Sequence, residues 1–103
     1  MIIRGGENIY PIEIEAVIAE HDAVLDVAVV GAPDEHWGEI VVVYITLRRG
    51  ASAPTLEEIR VHCRPKLAGF KIPTEIVVLD EFPKNATGKL LKRELRAFHT
   101  TKN

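Results

Sequence analysis

The chain has 103 residues, 47% of them hydrophobic and 27% charged, which fits one soluble globular domain around a single core. No apolar run approaches the roughly 18 residues of a membrane span, no signal-peptide pattern opens the chain, and one cysteine, Cys63, excludes an internal disulfide, so a reducing, cytoplasmic setting is expected. The net charge of −2 is unevenly spread: six Lys/Arg face one acid from Lys84 to Lys102, against seven and fourteen in residues 1–83, a pattern that favours a polyanionic small molecule or an acidic partner face over nucleic acid.

Met1 to Pro11 predicts a short apolar β segment running into a glycine-rich turn, Arg4-Gly5-Gly6-Glu7-Asn8. Paired glycines permit positive φ and close approach of the backbone to another surface; a plain turn satisfies the same pattern. Pro11 suits the first turn of a helix, with Glu13 and Glu15 near its positive end. Ile14, Val17 and Ile18 supply its apolar face, and His21-Asp22 should end it. Val24 to Val30 reads as a strand stopped by Gly31-Ala32-Pro33, and Asp34 to Glu39 as a polar turn carrying the single tryptophan, Trp37. Trp37 is most simply a packing anchor, with contact to a ligand as the alternative.

Ile40 to Leu47 is almost wholly apolar and β-branched, which predicts a strand covered on both faces. After a surface loop, Thr55 and Glu58 have capping-box spacing for a second helix that Pro65 should end. Leu56, Ile59, Val61, Cys63 and Leu67 form its imperfect apolar side, so Cys63 reads as a packing residue. His21, His36, His62 and His99 are scattered, and no Cys/His spacing suggests a metal site. Glu75 to Leu79 is a last strand. The predicted fold is α+β: a small mixed sheet of about three main strands with helices packed on it, plus the short N-terminal β segment.

Beyond Pro83 the turn formers Asn85, Thr87 and Gly88 precede Lys89, and Leu91, Leu95 and Phe98 then recur at helical spacing among Lys92, Arg93 and Arg96. A lysine on a tight loop before a helix can reach a phosphate or carboxylate oxygen, although Gly88-Lys89 alone also fits a solvated lysine at a helix start. It is not a P-loop, because the upstream glycine is missing.

Two strings in order, Arg4-Gly5-Gly6-Glu7-Asn8-Ile9-Tyr10-Pro11-Ile12-Glu13-Ile14-Glu15 and Pro83-Lys84-Asn85-Ala86-Thr87-Gly88-Lys89, resemble signatures of the adenylate-forming superfamily. That superfamily includes acyl- and aryl-CoA synthetases, firefly luciferase and peptide-synthetase adenylation domains. The link Lys66 to Pro73 and the Asp34-x-x-x-Gly38-Glu39 spacing also resemble the family's. The resemblance implies that residues 1–103 are the small C-terminal domain of an ATP-dependent acid–CoA ligase. The large N-terminal domain is then expected as a missing partner, and the fragment is expected to be inactive by itself.

It further implies two poses. In the first, Lys89, supported by the loop Pro83, Lys84, Thr87 and Gly88, reaches the substrate carboxylate and the ATP α-phosphate. In the second, the loop Gly5, Gly6, Glu7 and Asn8 lines the path of the CoA pantetheine arm. ATP with Mg2+ and CoA are the expected cofactors of the full-length enzyme, with none held by the fragment alone and no metal ligand in it. A carboxylic acid is the expected substrate, with neither nucleic acid nor a membrane span involved. The alternatives are a free-standing nucleotide- or protein-binding module, or the C-terminal domain of a peptide-synthetase-type enzyme.

Overall fold

The central element is a strand that is apolar at every position from Ile40 to Ile45, β4 (Gly38–Leu47). In this computed structural model, which describes residues 1–82 together with Lys92 and Leu95, both of its faces are covered. Side chains alternate across a strand. Val41, Val43 and Ile45 therefore enter one core with Ile14, Ile18, Ile59 and Cys63, while Ile40, Val42 and Tyr44 enter a second with Ala28, Val30, Phe82 and Leu95.

β4 pairs antiparallel with β3 (Val24–Asp34) and parallel with β5 (Glu75–Val78), giving the order β3-β4-β5. The expected three-stranded mixed sheet is present. The parallel pairing needs a crossover, supplied by α2 (Leu56–Cys63) and a single 3-10 turn at Gly69–Lys71. The predicted capping box is formed: Thr55 Oγ1 accepts from Glu58 N and Glu58 Oε1 accepts from Thr55 N, both at 3.1 Å. Of the expected apolar side, Ile59 and Cys63 are buried one turn apart, whereas Val61 faces outward at 53% exposure.

Several boundaries differ from the sequence expectation, those of β3 and α1 most; β4 starts at Gly38, two residues early, and β5 ends at Val78. β3 does not stop at Gly31-Ala32-Pro33 but runs through them to Asp34. β3 is an outer strand of the sheet, where a proline's missing N–H is tolerated. The first helix, α1 (Pro11–Ile18), ends three residues before His21. β3 also carries an irregularity between Val24 and Asp26, which turns Leu25 outward. There Thr46 Oγ1 accepts from Asp26 N and donates to Asp26 Oδ2, so the buried Thr46 hydroxyl is satisfied.

The N-terminal β segment is a complete hairpin, β1 (Ile2–Arg4) against β2 (Glu7–Ile9), with Ile2 paired to Ile9. Both of those isoleucines are buried in the first core, so the hairpin is fixed to the body through its open end. Its tip projects.

Candidate functional site

The tip consists of two residues, Gly5 and Gly6, at φ +56° and +84°. Positive φ at both central positions is what a type I′ hairpin turn demands, and the paired glycines meet it without a Cβ penalty. Glu7 and Asn8, expected in the loop, belong to β2 instead, because this turn is completed by two residues and leaves Arg4 and Glu7 paired. Glu7 and Asn8 are both exposed.

The turn between β3 and β4 supports this tip. Asp34 Oδ2 accepts from His36 N at 3.1 Å and Trp37 N at 2.8 Å, an aspartate-closed turn. That places the Trp37 carbonyl to accept from Gly5 N at 2.7 Å. The indole lies against Gly5, where an added Cβ would stand 2.9 Å from Trp37 Cε3. Gly6, by contrast, has nothing within 4 Å of its Cβ position. Trp37 is thus a packing anchor in a particular sense: it is 43% exposed and backs one glycine while leaving the other open.

Two further side chains hold the hairpin, and no local sequence signal gives either of them that role. Arg4 lays its guanidinium 4.6 Å from the Trp37 ring centre and donates from Nη1 to the Phe70 carbonyl at 3.3 Å, a cation–π contact with a polar anchor. Glu39 accepts from Ile3 N at 2.9 Å. Gly31 makes room for that carboxylate, since a Cβ there would lie 2.5 Å from Glu39 Oε2. The Asp34-x-x-x-Gly38-Glu39 spacing is the nearest thing to a pointer: its two acids both serve the hairpin. Ile3 and Trp37 remain exposed beside the tip, as do Tyr10 and Ile12 just beyond β2.

Pro83, Lys84, Thr87, Gly88 and Lys89 lie outside the described residues. Farther along the chain, Lys92 and Leu95 are helical. Lys92 pairs with Glu15 of α1, and the Leu95 carbonyl accepts from the Tyr44 hydroxyl at 3.0 Å. Burial raises the Tyr44 phenol above its ordinary value of 10.0, and the Glu75 charge adds to the effect, so the hydroxyl stays protonated to donate.

Nucleophilic chemistry has no support at Cys63. Its side chain is buried, and burial pushes the thiol from 9.0 up to about 11, keeping it neutral and unreactive near pH 7. His21 and His62, far apart in sequence, meet edge to face at 5.3 Å and line a shallow cleft with Glu57, Glu58 and Val61. Their polar atoms serve the backbone: His21 Nδ1 accepts from Ala23 N, and His62 Nε2 bonds the Val17 carbonyl. Among the described residues no group of three or more His, Cys, Asp or Glu is placed to hold a metal ion, and no helix is long and apolar enough to cross a membrane.

Comparison with known proteins gives this geometry its context. The 2-succinylbenzoate–CoA ligase of Geobacillus kaustophilus is 46% identical over 96 residues, 93% of this chain and 19% of that protein. A fatty acyl CoA synthetase of Mycobacterium tuberculosis superposes with a TM-score of 0.89 at 40% identity, over 99% of this chain and 20% of that one. The o-succinylbenzoate CoA synthetase of Bacillus subtilis, solved with its acyl-adenylate intermediate, does so with a TM-score of 0.83 at 42% identity, over 92% of this chain and 19% of that one. The chain thus spans about a fifth of the length of these relatives. The sequence pattern of the AMP-binding enzyme C-terminal domain matches residues 13–89. With that match joined to the same fold in solved acid–CoA ligases, the chain belongs to the AMP-binding enzyme C-terminal domain family.

Proposed function

We propose that this chain is the mobile C-terminal domain of an ATP-dependent, AMP-forming acid–CoA ligase. The observation that carries the proposal is the Gly5-Gly6 tip, a projecting backbone surface with open space at Gly6, in a chain of this family. ATP as its magnesium complex, a carboxylic acid and CoA are the substrates, bound largely by the remainder of the enzyme. The relatives named above are CoA ligases or synthetases, which favours CoA over a carrier-protein thiol.

Activation of a carboxylate by ATP brings two anionic centres together, so negative charge gathers between the carboxylate oxygen and the α-phosphorus. Lys89 supplies a positive charge there, which is electrostatic stabilisation and not nucleophilic attack. Thioester formation has a different need: the CoA thiol must reach the acyl carbon while AMP departs. In that pose Lys89 is withdrawn and the tip faces the site. Gly6 offers no side chain to the pantetheine arm, and Trp37 backs the tip from behind. The exposed Ile3, Tyr10, Ile12 and Trp37 provide apolar surface for contact with the larger domain.

The test separates the half-reactions in the intact enzyme. Lys89→Ala should slow ATP–pyrophosphate exchange by at least about 100-fold, the cost of one lost preorganised group. Conversion of presynthesised acyl-AMP and CoA to acyl-CoA should proceed within about twofold of wild type. Equal loss of both half-reactions would remove Lys89 from its assigned role.

A further inference from the structure

Lys92 follows Lys89 by three residues, and its ammonium does not point to solvent as a free phosphate ligand would. It pairs with Glu15 in a partly buried setting, with the two side chains 34% and 20% exposed. The same carboxylate atom, Glu15 Oε2, accepts from the Val29 backbone N–H at 2.9 Å. Glu15 therefore joins α1, the outer strand β3 and the C-terminal helical segment at a single oxygen. One turn further on, Leu95 is 1% exposed in the second core, and its carbonyl takes the Tyr44 hydroxyl. Lys92 and Leu95 are helical and three residues apart, so they share a face. That face meets α1 at one point and β4 at the other.

Neither polar contact is what an ordinary hydrophobic docking site requires. Leu95 would bury equally well against phenylalanine, yet position 44 carries a hydroxyl that reaches a main-chain carbonyl. A main-chain acceptor fixes the position of the helix along its axis, which apolar packing alone does not do. The Glu15 pair fixes its rotation about that axis. α1 also continues directly from the β1–β2 hairpin through Ile9, Tyr10 and Pro11, so the hairpin, Lys92 and Leu95 are all held by one body.

We infer that Glu15, Lys92 and Tyr44 form a positioning clamp that sets where Lys89 is presented for adenylation. The inference rests on the proposed role of Lys89. The clamp residues touch no substrate. They act through the chain between Lys89 and Lys92, so loosening them should reduce the fraction of time the lysine is correctly placed. A displacement of about 1 Å at such a group can cost as much as 100-fold in rate.

The experiment uses the intact ligase and five variants, Glu15→Gln, Lys92→Met, Lys92→Arg, Tyr44→Phe and the Glu15→Gln/Lys92→Met double variant, with Lys89→Ala as reference. Glu15→Gln, Lys92→Met and Tyr44→Phe should each slow ATP–pyrophosphate exchange roughly tenfold or more, and leave acyl transfer from presynthesised acyl-AMP within about twofold of wild type. Lys92→Arg, which keeps the charge, should recover most of the exchange rate. The Glu15→Gln/Lys92→Met double variant should be little slower than either single variant, because both break the same pair. Equal slowing of the two half-reactions would show a general structural role and overturn the clamp. So would exchange within twofold of wild type in all three variants while Lys89→Ala abolishes it; the lysine assignment would then stand without the clamp. If Lys89→Ala itself leaves exchange intact, the lysine assignment fails and the clamp fails with it.

Discussion

Gly5 and Gly6 look alike in the sequence and differ in their surroundings. Both sit at positive φ, where an L side chain costs roughly 1–2 kcal/mol. Only Gly5 has a neighbour in the way, the Trp37 indole, 2.9 Å from the point an added methyl would occupy. Gly5→Ala should therefore lower unfolding stability more than Gly6→Ala, by roughly a further 1–3 kcal/mol of overpacking, as read from denaturant midpoints. Gly6→Ala and Gly6→Leu share the same backbone strain but differ in bulk. A loss of thioester formation in the leucine variant well beyond that in the alanine variant, at equal stability, would identify obstruction of the pantetheine path. Matching losses in the two would make Gly6 a turn glycine and nothing more.

Among the elements, α2 is the one whose start is most fully determined by local chemistry. Its reciprocal Thr55–Glu58 cap satisfies two otherwise unpaired groups at the helix start, with Glu57 and Glu58 in the first turn. Thr55→Ala should cost about 1 kcal/mol, measured by thermal or chemical unfolding, and Thr55→Ser should recover most of it. No change on Thr55→Ala would mean that burial of Ile59 and Cys63 alone sets the helix start. The hairpin is the opposite case. Its two strands have three residues each, too short to persist without the body. It is held by Ile2 and Ile9 in the core, by Glu39 on Ile3 and by the Trp37 carbonyl on Gly5.

At the scale of the whole molecule, β4 is the wall between two cores, and the hairpin and Leu95 are attached to different sides of it. The hairpin packs with the first core through Ile2 and Ile9, and the C-terminal segment enters the second through Leu95. The proposed two-pose cycle requires this body to turn as a unit and present the hairpin or Lys89 in alternation. About four fifths of the length of the relatives lies outside the stretch matched here. The 103 residues alone are accordingly expected to give no ATP–pyrophosphate exchange above background. Exchange by the isolated chain would overturn the division of labour proposed for the domain.

Local signals in the sequence suffice for the sheet and its helices: the unbroken apolar run of β4, the Thr55–Glu58 spacing, and Pro65 after the second helix. They also point to the glycine tip and to family membership, since the motifs that carry both are contiguous strings. The roles given to Lys89 and its supporting loop rest on that resemblance, and those residues fall outside the described part of the chain. Whatever depends on neighbours distant in sequence was settled by the folded chain. The strand-stopping reading of Gly31-Ala32-Pro33 failed because β3 lies at the sheet edge and Gly31 makes room for Glu39. No local pattern pairs Arg4 with Phe70 and Trp37, or closes Glu15 onto Val29 and Lys92. A side chain's periodicity can show which face it occupies; only the fold shows which partner waits on that face.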